Sequence, residues 1–282
     1  MGFDPPPDSL IEPLVRAALA EDLGLAGDIT SNACVPPGAR MAATFRVREA
    51  GVVCGLGCAR LALAAMDPSG RFDVVAAEGA RVAPAAALAH VAAEARAVLG
   101  AERVALNIVS RLSGIATLTE HYVQAVSGTA ARIVDTRKTT PLLRALEKYA
   151  VRCGGGHNHR FSLGDAILIK DNHVAACGGI GPAIDRARAG AGHLIKLEIE
   201  VDTLEQLDEA LAHHPDVIML DNFSLDDLGR AVTIAKGRAL LEASGGVSLA
   251  TVRAIAQTGV DLISIGALTH SAPVLDIGLD VD

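Results

Sequence analysis

Residues 131–174 read ARIVDTRKTTPLLRALEKYAVRCGGGHNHRFSLGDAILIKDNHV. A strand-like run that ends in polar residues is followed by a helical run and then by a second strand-like run, which is the repeating unit of parallel α/β proteins. Positive charge is concentrated in the same stretch, on Arg137, Lys138, Arg152, Arg160 and Lys170, although the chain has a formal charge of −8. This local concentration predicts a pocket for a small ligand with several negative charges.

The same alternation continues towards the end of the chain. Strand-like runs recur at LIKLEIEV, DVIMLDNF, ALLEASGG and DLISIGAL, with helical runs between them. Polar residues end most of these strands, as they do in parallel α/β barrels, where the chemistry lies at the C-terminal ends of the strands. The pattern predicts an incomplete, TIM-like α/β barrel with fewer than eight strands. A doubly wound open sheet has the same alternation and is the alternative.

The residues before this series lack the regular alternation of strand-like and helical runs, which predicts a separate N-terminal α+β domain. An amphipathic helix is expected over residues 9–23, strands in MAATFRVREAGVVCG and RFDVVAAEGARV, and a helix between them. The alanine-rich residues 85–100 are expected to be helical, as are residues 101–126. The expected domains are 1–115, joined by the C-terminal tail 272–282, and 116–271.

Composition excludes several classes of protein. Of the 282 residues, 50% are apolar and only 2% aromatic, and with the acidic net charge this argues against a nucleic-acid surface. No run is long and apolar enough to suggest a membrane span, and the acidic, Pro-rich start MGFDPPPDSLIEP is unlike a signal peptide. The cysteines form an odd, scattered set without a CxxC pair, typical of reduced and mostly buried thiols in a cytoplasmic protein. They are Cys34, Cys54, Cys58, Cys153 and Cys177.

Charged residues alternate along one strand. Lys196, Glu198 and Glu200 are spaced by two, so they face one side of the strand and require a polar, ligand-filled interior. Glu200 and Asp221 end successive strands, which places them close together. They are expected either to bind Mg²⁺ on a diphosphate, directly or through water, or to pair with Lys170 or Lys196.

The glycine run 154–156 and the nearby histidines each have two possible interpretations. The run 154–156 is either a turn after a helix or backbone that approaches an anion. A zinc site of His157, His159 and His173 is an alternative to a role for one histidine in substrate binding. The turns Ser244-Gly245-Gly246 and Gly266-Ala267 end late strands, where barrels bind phosphate. Together these features indicate phosphoribosyl diphosphate and an acidic acceptor as substrates.

The residues of these motifs, and their order along the chain, resemble one protein family over nearly the whole chain. DTRKTTPLLRALEKYAVRCGGGHNHRFSLGDAILIKDNH is similar to the signature of quinolinate phosphoribosyltransferases, which convert quinolinate and phosphoribosyl diphosphate to nicotinate mononucleotide, diphosphate and CO₂. EDLGLAGDITS, ERVALNIVSRLSGIAT, LEIEVDTLEQ, IMLDNF and LEASGGVS follow the family order as well. The resemblance implies an enzyme of de novo NAD biosynthesis that works with Mg²⁺. It also implies a homodimer, or a larger oligomer, whose active sites are shared between subunits.

The resemblance also implies roles for particular residues, with no protein nucleophile. Arg103 matches an arginine supplied across the subunit interface, and Lys138, Glu200 and Asp221 match groups close to the chemistry. The positions that match substrate-binding residues are Thr136, Arg137, Lys138, His159, Arg160, Lys170, Glu200, Asp221, Ser244, Gly245, Gly246, Gly266 and Ala267.

Two other functions stay open at the level of sequence. A Schiff-base lyase would use Lys138, Lys170 or Lys196, but these lysines lie among charged residues and not in an apolar pocket. A non-enzymatic, anion-binding relative on the same scaffold would lack part of the cation set that this chain has.

Overall fold

A computed structural model describes residues 4–282 of the chain, so Met1–Phe3, the first residues of the Pro-rich start, lie outside it. Contacts within the chain group it into two units. The first unit takes the chain up to Glu120 together with Thr139–Gly155 and Leu268–Asp282, and the second takes His121–Lys138 and Gly156–Ala267. The domain limits 1–115, joined by 272–282, and 116–271 remain a prediction.

The first unit is built on an antiparallel sheet. Its elements are α1 (Asp8–Leu23), α2 (Ile29–Cys34), β1 (Arg40–Val47), β2 (Gly51–Val52), α3 (Leu56–Met66), β3 (Arg71–Val74), β4 (Arg81–Val82), β5 (Ala87–Glu94), the long helix α4 (Ala95–Ala125, whose last turn lies in the second unit), α5 (Arg144–Cys153) and β12 (Ile277–Val281). Within residues 4–282, four of these strands form a sheet in the order β12-β1-β5-β3. Phe45 and Val91 from this sheet, Leu63 from α3 and Val98 from α4 face one apolar space.

One expectation for this unit is wrong. Residues 87–94 were expected to be helical because alanine favours helices, but they form β5. The strand lies between β1 and β3 and is hydrogen-bonded to both. Pairing on both edges therefore overrides the local preference of the sequence.

The second unit is a parallel α/β unit. Its elements are β6 (Arg132–Val134), β7 (Ile167–Ile169), α6 (Asp171–Cys177), α7 (Ile180–Gly190), β8 (Leu197–Val201), α8 (Leu204–Ala212), β9 (Val217–Asp221), α9 (Leu225–Ala235), β10 (Leu240–Ser244), α10 (Val252–Gln257) and β11 (Leu262–Ser264), followed by α11 (Ala267–His270), which crosses into the first unit. Six parallel strands of the described chain lie in the order β6-β11-β10-β9-β8-β7.

This strand order distinguishes the two predicted folds. From β7 to β11 each strand lies beside its predecessor, and β6 then lies beside β11, so the series winds in one direction. A doubly wound sheet reverses its direction at a switch point, whereas a barrel does not. The prediction of an incomplete α/β barrel with fewer than eight strands is therefore confirmed, and its two edge strands are β6 and β7.

Along the strands, buried apolar residues of the core alternate with polar residues that face the candidate site. Ile199, Leu220 and Ala243 are buried, while their neighbours Glu200, Asp221 and Ser244 line a cavity. Helices cover the apolar side, as α8 does with Leu207 and Leu211. Within residues 4–282, no helix combines the length and the apolar composition that crossing a membrane requires.

Candidate active site

A cavity of about 480 Å³ lies at the carboxyl ends of the parallel strands, wholly within the second unit. Its lining combines four cations, three carboxylates, one histidine, three hydroxyl groups and two apolar side chains. The lining residues are Thr136, Arg137, Lys138, His159, Arg160, Leu168, Lys170, Glu200, Met219, Asp221, Glu242, Ser244 and Ser264.

Four of the five cations expected from the sequence line this cavity. Arg137 and Lys138 follow β6, and the Thr136 hydroxyl accepts a hydrogen bond from the backbone N–H of Lys138 at 3.0 Å. Lys170 follows β7. Arg152 does not take part, because it lies on α5 in the first unit and donates a hydrogen bond to the carbonyl oxygen of Asp4 at 2.7 Å.

A buried carboxylate holds the histidine segment against the end of β6. Asp135 is fully buried and accepts hydrogen bonds from the Asn158 amide at 2.6 Å and from the His159 backbone N–H at 2.8 Å. His157 forms a parallel bridge with Val134. These contacts explain how residues 23 and 24 positions apart in the sequence reach the same end of the unit.

Arg160 is held by its neighbours at the cavity wall. Its Nη1 donates to the carbonyl oxygen of Ala166 at 3.1 Å, while its Nε is buried and has no hydrogen-bond partner. Burial, and then the nearby charge of Arg137, lower the pKa of the Arg160 guanidinium from its ordinary value. Two partly desolvated guanidinium groups side by side favour an anionic ligand that offers paired oxygens.

Glu200 is the last residue but one of β8 and Asp221 is the last residue of the adjacent parallel strand β9, so both lie at strand ends, as the sequence predicted. Lys170 Nζ forms an ion pair with Glu200 Oε2, and the Asn222 amide donates to Asp221 Oδ2 at 2.7 Å. Each carboxylate therefore keeps its second oxygen for a ligand, and hard oxygen donors of this kind suit Mg²⁺. Lys196 does not belong here, because it precedes β8, is exposed, and pairs with Asp216 at 2.5 Å.

The glycine-rich turns have different positions relative to the cavity. Ser244 lines it, and Gly245 and Gly246 follow with φ of +92° and +59°. A Cβ on Gly245 would lie 2.1 Å from Asn222 Oδ1, so only glycine fits beside that amide. Gly266 and Ala267 follow β11 without lining the cavity, and the run 154–156 follows α5 as a turn, with φ of +84° at Gly155.

Glu242, which lines the cavity, and Glu198, which lies next to His159, were not singled out as site residues from the sequence. Glu198 and Glu242 are 7% and 1% exposed, and one ligand atom each from these residues and from His159 lie within 4.8 Å of one another. His159 Nε2 is 2.9 Å from Glu198 Oε2 and 3.9 Å from Glu242 Oε1. The alternation that placed Glu198 beside Glu200 was a signal for the first carboxylate. No local pattern places Glu242 next to it.

The remaining predicted residues lie elsewhere. Arg103 is exposed on α4 in the first unit. His173 Nδ1 accepts the backbone N–H of Lys170 at 3.0 Å. Among residues 4–282, the potential metal ligands that gather around His159 are Glu198 and Glu242, so the alternative zinc site of His157, His159 and His173 is not formed.

Comparison with protein-family models identifies both parts of the chain. The model of the quinolinate phosphoribosyl transferase N-terminal domain matches residues 28–113, and the model of the C-terminal domain of the same family matches residues 115–280.

Individual relatives are similar over nearly their whole length. The nicotinate-nucleotide pyrophosphorylase [carboxylating] of Mycobacterium leprae is 50% identical over 272 residues, covering 95% of each chain. A probable enzyme of the same name from Bacillus subtilis is 41% identical, covering 96% of this chain and 93% of its own. The structure of the nicotinate-nucleotide pyrophosphorylase from Francisella tularensis superposes with a TM-score of 0.94 at 38% identity, covering 100% of this chain and 99% of the other.

Proposed function

The chain belongs to the quinolinate phosphoribosyl transferase family, and from this premise we propose that it is a decarboxylating quinolinate phosphoribosyltransferase. It transfers the phosphoribosyl group of phosphoribosyl diphosphate to quinolinate and releases diphosphate and CO₂. The product is nicotinate mononucleotide, a precursor of NAD.

The observation that carries the proposal is the charge arrangement of one cavity. Arg137, Lys138, Arg160 and Lys170 supply positive charge for the two carboxylates of quinolinate. Leu168 and Met219 supply an apolar surface in the same cavity for a pyridine ring.

The residues present can perform the chemistry by positioning and electrostatics. The cations hold quinolinate so that its ring nitrogen attacks the anomeric carbon of the ribose as diphosphate leaves. Positive charge develops on the ribose ring in this step, and the carboxylates of Glu200 and Asp221 stabilise it. When the adjacent carboxylate departs as CO₂, its electron pair stays on the ring carbon as a carbanion, which the positive charge of the neighbouring quaternised nitrogen stabilises. A proton then adds to this carbon and completes the product. No protein nucleophile is required.

Mg²⁺ is part of the proposal, and Glu200 and Asp221 are the residues that would hold it, directly or through water. When bound, the ion would neutralise the leaving diphosphate. The turn Ser244-Gly245-Gly246 would contact the phosphate of the ribose, because Ser244 lines the cavity and the two glycines that follow it carry no side chains.

We also propose a homodimer, or a larger oligomer, in which Arg103 of one subunit completes the site of its partner. The exposure of Arg103 on α4 leaves it available for such a role. A cytoplasmic location is proposed because all five cysteines are free thiols.

The reaction is tested with the purified chain, quinolinate, phosphoribosyl diphosphate and Mg²⁺, with nicotinate as a parallel acceptor. We expect nicotinate mononucleotide and CO₂ in equal amounts from quinolinate and no turnover of nicotinate. Turnover of nicotinate alone would replace the proposed acceptor. A folded protein without activity on either acceptor would favour the anion-binding relative.

A further inference from the structure

Two buried carboxylates beside His159, those of Glu198 and Glu242, carry more negative charge than their hydrogen-bond partners balance. Glu198 and Glu242 are nearly inaccessible, their carboxylates lie within 4.8 Å of the same histidine nitrogen and of each other, and one oxygen of each, Oε1, has no hydrogen-bond partner. Two adjacent buried carboxylates are unfavourable when both are ionised, so a cation must offset one of the charges. The guanidinium of Arg160 interacts with the charge of Glu198 and offsets part of it. The further cation is either a metal ion or a proton.

The hydrogen bonds of His159 decide between these two cations. The backbone N–H of Arg160 donates to His159 Nδ1 at 2.8 Å, so Nδ1 is the unprotonated nitrogen of a neutral ring. The proton therefore lies on Nε2, which donates to Glu198 Oε2 at 2.9 Å. A protonated Nε2 has no lone pair with which to complete a metal site beside the two carboxylates, which favours a proton as the balancing charge. Because Glu198 already accepts the histidine N–H, that proton belongs to Glu242.

The surroundings of Glu242 agree with a neutral acid. Burial first, and then the charge of Glu198, raise the pKa of Glu242 to about 7, while a hydrogen bond from Ser264 acts in the opposite direction. Asp135, at the end of β6, adds to the effect of Glu198. The other charged groups of the same cavity are Arg137, Lys138 and Arg160 after β6, Lys170 after β7, Glu200 on β8 and Asp221 on β9.

We propose that Glu242 is a positioning residue of the dicarboxylate site, which holds a proton while the dicarboxylate is bound and whose ionisation lowers the affinity of the cavity for that ligand. The inference rests on the proposed function and deepens it, because it names a residue that controls affinity for the acceptor. An ionised Glu242 would add a negative charge to a cavity with low dielectric constant, close to a dianion. By thermodynamic reciprocity, a dianion that binds better to the protonated form also draws a proton onto it.

Phthalate is a suitable probe, because it carries two adjacent carboxylates on a six-membered ring and lacks the ring nitrogen that reacts. We would measure its binding to the full-length protein by calorimetry between about pH 6.5 and pH 9, in two buffers with different ionisation enthalpies. For the wild type we expect the affinity to fall by at least about tenfold across this range. We also expect uptake of close to one proton per phthalate above neutral pH.

The variant Glu242→Gln imitates the protonated acid, so its affinity should stay near the value that the wild type shows at low pH and its proton uptake should be lower by close to one. The matched control is Glu205→Gln, the same substitution at an exposed position of α8, which should behave like the wild type. Circular dichroism and thermal melting would establish that both variants are folded.

Three outcomes would overturn the proposal. The first is a wild type whose binding takes up no proton above neutral pH, which requires no variant. The second is the same pH dependence in Glu242→Gln as in the wild type, and the third is weak binding to that variant at every pH. If the wild type forms nicotinate mononucleotide in these cases, the proposed function stands without the role of Glu242. If it neither binds phthalate nor turns over quinolinate, both proposals fail.

Discussion

Lys138 and Arg160 illustrate two ways in which single residues supply charge to the cavity. Arg160 is half-buried and held by its hydrogen bond to the Ala166 carbonyl oxygen, whereas Lys138 is exposed and reaches the cavity with a flexible side chain. A rigid guanidinium fixes the orientation of a carboxylate, and a flexible ammonium adds charge without fixing direction. Both contributions are needed if the ligand is a dicarboxylate that must present one ring atom to a second substrate.

Removal of either cation should therefore impair catalysis without unfolding the protein. For Lys138→Ala and for Arg160→Ala we expect kcat/KM for quinolinate to fall by at least about 100-fold, or roughly 2.7 kcal/mol. Steady-state kinetics of nicotinate mononucleotide formation would measure the loss. The matched control is Lys196→Ala, whose ammonium pairs with Asp216 outside the cavity. Near wild-type activity in either cavity variant would contradict the role of that residue, and a large loss in the control would revive the Schiff-base alternative.

For single residues, the sequence predicted which charged side chains line the cavity better than it predicted which side chains lie next to each other. The cations could be recognised because they are concentrated in one stretch of an acidic chain, and Glu200 and Asp221 because they lie at the ends of strand-like runs. The proximity of Glu198 to Glu242 could not be predicted, since it depends on how β8 and β10 are arranged around the cavity and not on any spacing along the chain.

At the level of secondary-structure elements, a glycine at the end of α5 serves helix packing. The alternative interpretation of the run 154–156 was backbone that approaches an anionic ligand. Gly154 directly follows the helix with an ordinary φ of −78°. A Cβ at this position would lie 2.3 Å from the carbonyl oxygen of Ala116 and 2.6 Å from Thr119 Cβ, both on α4. The missing side chain therefore lets the end of α5 approach α4, within the first unit.

The substitution Gly154→Ala should accordingly destabilise the protein. We expect a loss of about 1–3 kcal/mol in the free energy of unfolding, because the backbone of α4 cannot move aside cheaply. Urea denaturation would measure it. Gly57→Ala is the matched control, since no atom lies within 4 Å of a Cβ at this position in α3, and alanine favours a helix. Equal stability of the two variants would show that the close approach is not important.

Elements whose pattern is local were predictable, and those defined by partners were not. The helix expected over residues 9–23 is present as α1, Asp8–Leu23, because its apolar spacing is its own property. Residues 87–94 became β5 because of hydrogen bonds to β1 and β3, which a window of sequence does not contain. The parallel strands were recognisable from their apolar starts and polar ends, although only the strand order separated a barrel from a doubly wound sheet.

For the whole molecule, the proposal of shared active sites predicts complementation between inactive subunits. Arg103→Ala should remove the residue supplied by the neighbour, and Arg160→Ala should disable the cavity itself. In a mixed dimer, one of the two sites would then contain both intact residues. We therefore expect mixtures of the two variants, after subunit exchange, to recover up to about a quarter of wild-type activity.

The measurement is the activity of the mixture compared with each variant incubated alone, with light scattering to establish the oligomeric state. Mixtures of Arg137→Ala with Arg160→Ala provide the control, because both residues line the same cavity and no mixed dimer restores it. A fully active monomer, or a mixture no more active than its components, would contradict the shared site.

The pairing of β12 with β1 has a consequence for biosynthesis. In this sheet Ala43 pairs with Val281, so one edge of β1 is filled by a strand that leaves the ribosome long after β1 itself. All of the second unit is translated in the interval. A nascent chain therefore carries an unpaired strand edge for most of its synthesis, and such edges invite association with other chains. The first unit to emerge is therefore the last to be completed.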